Sequence, residues 1–211
     1  MKHYELLRPL LLQGLLENEV SDHCVEFKNW VSSGNYIVRD VPTNKSIEIE
    51  INNEFSFHNM MAFDVCRMAA ASFETMQHIQ QSSALPKSFG WIAIKSYYAA
   101  FFSAHSIMRC FGYSCSQLER GHVTQLNSFG QAIGLSSLIK PEAGYFSGTY
   151  DQSSRILKLK KMNNTHEDTW RTLLDCLNEV SQNILNVTGL SSRKQQVSAR
   201  VSDLIDIITD N

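Results

Sequence analysis

Residues with chemical potential gather in one segment, Trp91 to Arg109, WIAIKSYYAAFFSAHSIMR. Lys95, Tyr98, Phe102, His105 and Arg109 fall at i, i+3, i+7, i+10 and i+14, which is one stripe of a helix. A histidine and an arginine on such a stripe suit work on a phosphodiester. His105 would move a proton and Arg109 would stabilise the charge that builds on the phosphate oxygens. The same residues also have a plain structural use. Lys95 and Arg109 stand near the helix ends, where long stems carry their charges to solvent, and His105 can bond a neighbouring carbonyl. Buried polar atoms are costly unless paired, so the stripe Lys95, Tyr98, His105 and Arg109 reads as either a satisfied network or a site.

Three other groups are candidates. His122, on the helix expected to follow, joins His105 and Arg109 as a possible catalytic residue. Arg155, Lys158, Lys160 and Lys161 could track a nucleic-acid backbone, or form a solvated strand face neutralised by Glu48 and Glu50. The loop Gly144 to Tyr150 carries aromatics that could stack on bases or simply cap the core. No metal or cofactor is expected: the seven histidines are dispersed without HxxxH or HExxH, and no GxSxG, phosphate loop or dinucleotide fingerprint occurs.

These residues need elements to hold them. A short amphipathic helix is expected from near Tyr4, and a second from about Ser21 to Ser32, stopped by Gly34. Tyr36–Arg39 and Ser46–Ile51 read as strands joined by a turn at Pro42–Lys45. Helical spacing runs from about Ser56 to Gln81, with a loop over 82–86. The central helix then runs from about Lys87 to Phe111, and another from about Ser116 to Ile133. Residues 134–154 read as loop with a short strand at 144–146, and Arg155–Met162 as a strand. Thr165–Asp168 matches a capping box opening a helix to about Val187, and a last helix covers about Ser192 to Ile208. The alternating Ile47-Glu48-Ile49-Glu50 and Leu157-Lys158-Leu159-Lys160 are complementary in charge, which predicts that they lie side by side in one sheet.

Composition bounds the function. Of 211 residues, 43% are hydrophobic and 19% charged, with a net charge of −2, so any nucleic-acid binding must come from a local patch. Five scattered cysteines without a CxxC pair fit free thiols in a reducing cytoplasm. The apolar run Ser96–Met108 is too short to span a bilayer, so no membrane is expected.

The run SYYAAFFSAHSIMRCFG resembles the tyrosine-rich central helix of HEPN-like (higher eukaryotes and prokaryotes nucleotide-binding) domains, with His122 and Phe129 following in the next helix. The resemblance covers residues 56–130. It implies a mainly α, antiparallel helical bundle with a small β-sheet element, often dimeric, from prokaryotic antiviral defence or toxin–antitoxin systems, and many similar proteins cleave RNA without a metal. Active members place an Arg four to six residues before a His. No Arg here has that relation to a His: Arg120 and His122 are separated by Gly121 alone, and His105 precedes Arg109. The expectation is therefore a single domain over 1–188, with strands near 36–51 and 155–161, and a C-terminal amphipathic helix over 189–211 as a docking element. In function the resemblance implies a binding or assembly subunit that pairs with itself, with an operon-encoded protein, or with RNA. The alternative is a metal-independent ribonuclease using a rearranged His105, Arg109 and His122 site.

Overall fold

The structure, a computed structural model, describes residues 25–81, 88–135, 141–186 and 191–209. The expected helix near Tyr4 and the 82–86 loop lie outside them. Among the described residues the order is α1 (Phe27–Ser33), β1 (Tyr36–Thr43), β2 (Ser46–Ile51), α2 (Glu54–Gln81), α3 (Phe89–Cys110), β3 (Tyr113–Leu118), α4 (Arg120–Ala132), β4 (Gly144–Asp151), β5 (Ile156–Lys161), α5 (Thr165–Asn186) and α6 (Ser191–Thr209).

The mainly α bundle with a small β element is not what forms. The strands build one five-stranded sheet in the order β1-β2-β5-β4-β3, every described pair antiparallel, so the protein is a mixed α/β molecule organised around a sheet. Two segments account for the difference. Tyr113–Leu118 is a strand, where the sequence reads as a turn running into a helix, and β4 is a full strand of eight residues rather than a short stretch in a loop. Serine and glycine hide both from a hydrophobic-period reading, yet the glycine is there for packing. Ser114 lies opposite Gly148, and a Cβ on Gly148 would come within 2.6 Å of Ser114 Oγ and 3.0 Å of Leu159 Cδ2. Gly148→Ala should accordingly cost about 1–3 kcal/mol through overpacking, read from the midpoint of urea unfolding.

The charge-complementary strands do pair. Glu48 faces Lys158 across β2 and β5, with 3.7 Å between carboxylate and ammonium, while Ile47, Ile49, Leu157 and Leu159 turn to the buried face. Pro42 lies within β1 rather than in the turn, as an edge strand permits, and the turn itself is Asn44–Lys45.

One face of the sheet is buried throughout. Alternate residues of β2, β4 and β5 meet Phe27, Trp30 and Val31 of α1, Phe57, Met60 and Met61 of α2, and Val123 and Leu126 of α4. Trp30 anchors this core, flanked by Phe27, Tyr36 and Phe57, with its indole N–H donating to Ser56 Oγ at 3.1 Å. Gly34 ends α1 in the left-handed region (φ 72°), and the ring of Phe129 closes over the place where a Cβ would stand. Among the described residues the opposite face is covered only at its β3–β4 end. There Tyr113 and Cys115 meet Leu173, Cys176 and Val180 of α5 and Ala104 and Met108 of α3. The start of α5 is fixed by Asp168, whose carboxylate accepts the backbone N–H groups of Asn163 and Asn164, one residue earlier than a box capped by Thr165. α6 packs against α5.

Candidate functional site

The central helix holds two environments. From Ala99 onward its inner face is buried: Ala99, Phe101, Ala104, His105, Met108 and Arg109 all lie inside. Before Ala99 the same helix stands in solvent. Phe89 is 88% exposed, Trp91 64% and Ile94 46%, and Lys95, Tyr97 and Tyr98 are exposed as well. The expected stripe is thus split, with Lys95 and Tyr98 outside and His105 and Arg109 inside. The helix is half enclosed, because the sheet and α5 end before they reach the distal part of the α2–α3 hairpin.

Arg109 does not reach solvent. Its guanidinium is fully buried and uses every N–H it has. Nε donates to Asp64 Oδ2 at 3.1 Å, and Nη1 to the carbonyl oxygen of His105 at 3.1 Å and to His105 Nδ1 at 3.2 Å. Nη2 donates to the carbonyl of Cys115 at 3.3 Å and to Ser116 Oγ at 3.2 Å. Five donors meet five acceptors on α2, α3 and β3. Arg109 therefore ties the hairpin to the sheet edge and has no donor left for a phosphate. Asp64 completes the lock by accepting also from Arg67 Nη2 at 2.9 Å, and Arg67 in turn stands 3.5 Å from Glu26.

His105 is 7% exposed. Burial, and then the positive charge of Arg109, hold its pKa at about 3, well below the ordinary 6.5. A guanidinium can only donate, so Nδ1 of His105 is the acceptor and its single proton sits on Nε2. Among the described residues nothing accepts that proton. His105 is one wall of a cavity of about 410 Å³ formed where α1, α2, α3, β3, β4 and the start of α5 converge. Phe101 stands edge-on to His105 with ring centres 4.6 Å apart, and the ring of His166 lies 5.0 Å from that of Phe101. The Nδ1 atom of His166 shares a 2.9 Å hydrogen bond with the Tyr97 hydroxyl, which also accepts the Trp170 indole N–H at 3.3 Å. Lys28 and Arg67 reach the same cavity from the α1–α2 side.

Compared with known proteins, this chain matches no family model, no curated protein and no solved structure.

The remaining candidates stand apart from this cavity. His122 serves the first turn of α4, its Nδ1 accepting the Glu119 N–H at 3.1 Å in a reciprocal cap, and it does not line the cavity. The basic run is largely neutralised: Arg155 stands 3.7 Å from Glu54, Lys158 pairs with Glu48 and Lys161 with Glu142 at 2.7 Å. The Lys161 ammonium holds the Glu142 carboxyl below its ordinary range. Lys160 is exposed and paired in register with Ser46 and Ser147. Tyr145, Phe146 and Tyr150 belong to β4, where Phe146 and Tyr150 are core and Tyr145 borders the cavity. Among the described residues no cluster of histidine, cysteine or carboxylate side chains could hold a metal, and no helix is long and apolar enough to cross a membrane.

Sequence reasoning missed Asp64, Arg67, Lys28 and the contribution of His166. One signal was available for the first two: between Glu54 and Glu74 they are the only charged residues of a long helix. A lone acid on such a helix needs a buried partner, and Arg109 on the next helix is the natural one.

Proposed function

We propose that this chain is a non-enzymatic binding and assembly subunit, acting in the cytoplasm as part of a prokaryotic antiviral defence or toxin–antitoxin module. It pairs with a second copy or with an operon-encoded protein through the distal end of the α2–α3 hairpin. One observation carries this reading: Phe89 (88% exposed), Trp91 and Ile94 of α3 stand in solvent at that end, and Phe73 of α2 is open further along the hairpin, beside Ser103 and Ile107. Apolar groups of this size left open on a single chain mark an interaction surface. The biological setting rests on the resemblance of the SYYAAFFSAHSIMR helix to the tyrosine-rich helix of HEPN-like proteins.

The ribonuclease alternative draws little support from the geometry. Arg109 is saturated by protein acceptors, His105 is neutral at any pH near 7, and His122 caps a helix away from both. Incubating RNA with the protein in EDTA should leave it intact, for the native sequence as for His105→Ala and His122→Ala.

The assembly reading is tested by measuring mass in solution. The native chain, alone or with the neighbouring gene product, should run as a complex, and Trp91→Glu combined with Ile94→Glu should return it to a single chain. Both positions are open, so the double substitution leaves the core untouched. A native chain that stays a monomer and retains no partner would overturn the reading.

A further inference from the structure

The cavity beside His105 is separate from the hairpin surface, and it is already built for a guest. Its volume, about 410 Å³, falls in the lower part of the range that holds small organic ligands. Its chemistry is graded from floor to mouth. At the floor, His105 presents an Nε2–H donor that no described residue satisfies, on a side chain more than nine-tenths buried. That donor is fixed rather than free to switch, because Arg109 occupies Nδ1, and Arg109 is itself immobilised by Asp64 and the β3 backbone. Among the described residues the buried side-chain atoms left without a partner are Ser114 Oγ and Tyr150 Oη, so the His105 donor opens onto the cavity, where a guest can supply its acceptor.

Above the floor the walls are aromatic. Phe101 and Tyr98 line the cavity on the α3 side, offering flat apolar surface to a planar ring. At the mouth the charges do not cancel. Among the described residues three cations meet two acids there: Arg109 and Arg67 both bond Asp64, at 3.1 Å and 2.9 Å, and Arg67 and Lys28 both approach Glu26, at 3.5 Å and 3.2 Å. One cation is left over, and Lys28 and Arg67 both keep part of their side chains in solvent, where a ligand can meet them.

We propose that this cavity binds a planar aromatic carboxylic acid carrying a hydrogen-bond acceptor at the end opposite its carboxylate. The acceptor takes the His105 Nε2 proton, the ring lies against Phe101 and Tyr98, and the carboxylate meets Arg67 and Lys28. This binding does not depend on the pairing of copies through the hairpin.

Three probes of one shape test it on the full-length chain by titration calorimetry and by amide shifts in NMR. 4-Acetylbenzoate has both the carbonyl acceptor and the charge, 4-isopropylbenzoate lacks the acceptor, and 4-acetylbenzamide lacks the charge. The first should bind with a Kd on the order of 1 mM or tighter, as a dozen heavy atoms allow. The second should bind about tenfold more weakly, the worth of one well-made hydrogen bond. The third should lose about threefold, the worth of a partly exposed ion pair, and that difference should shrink in high salt. Shifts should centre on Phe101, His105 and Thr165 and spare Trp91. Arg67→Gln should bind the benzoate and the benzamide equally. His105→Gln, which can keep both a donor and an acceptor, should retain the preference for an acetyl group that His105→Leu abolishes. Equal affinity for all three probes, no binding of 4-acetylbenzoate at several times that concentration, or shifts centred on the hairpin would each overturn the proposal.

Discussion

Replacing Asp64 by alanine should destabilise the protein by about 3–5 kcal/mol, enough to leave a marginal domain largely unfolded at room temperature. The reason lies in what would remain. Asp64 and Arg109 are both about 1% exposed, and among the described residues the carboxylate is the only acid bonded to the buried guanidinium. Without it the positive charge stays inside, held by two carbonyls, a hydroxyl and an imidazole nitrogen, none of which carries a counter-charge. The double substitution Asp64→Leu with Arg109→Met should cost much less than Asp64→Ala alone, because it removes both charges and fills their space with apolar atoms. Urea unfolding of the three proteins measures the effect. An Asp64→Ala protein within 1 kcal/mol of the native chain would mean that water reaches Arg109 and that the lock is not closed.

Acid should weaken the fold through His105, in a window that is unusual for a histidine. Its folded pKa of about 3 lies below the unfolded value near 6.5, so between those values the unfolded chain holds a proton that the folded one refuses. The contribution is therefore complete above pH 6.5 and is lost as pH falls toward 3. The slope approaches 1.4 kcal/mol per pH unit, roughly 2 kcal/mol by pH 5. Carboxylates add their own pH dependence, so the comparison that matters is with His105→Gln, whose stability should fall less steeply over the same interval. Parallel pH profiles for the two proteins would show that His105 takes up its proton without unfolding the site.

Parts of this architecture are legible before any coordinates. Strands β2 and β5 can be paired by eye, because isoleucine and leucine alternate with opposite charges and only one register brings Glu48 to Lys158. The ends of α1 and α3 follow from Gly34 and Gly112, both at positive φ. Strands β3 and β4 are opaque for a physical reason: Ser114 and Gly148 are small so that two strands and Leu159 can close on each other, and small residues read as loop. The fate of α3 is opaque for another. Periodicity reveals that a helix has an apolar face but not how far along its length a neighbour extends, so Trp91 and Phe101 look equally buried in the sequence and differ sharply in the fold. The cavity draws on six elements and on the carbonyl of Cys115, a backbone atom that no side-chain pattern announces.

The order of strands has a consequence for how the chain comes into being. Strand β5, which stands in the middle of the sheet, is the last of the five to be synthesised, and roughly a hundred residues separate it from β2. While the ribosome is still making that stretch, the β1–β2 hairpin presents an unpaired edge and the isoleucines of β2 without their cover. Closing so long a loop is slow, and a nascent chain in this state is a target for chaperones and for other nascent chains. A transcript truncated before residue 156 should therefore yield aggregates or degraded product rather than a stable half-molecule.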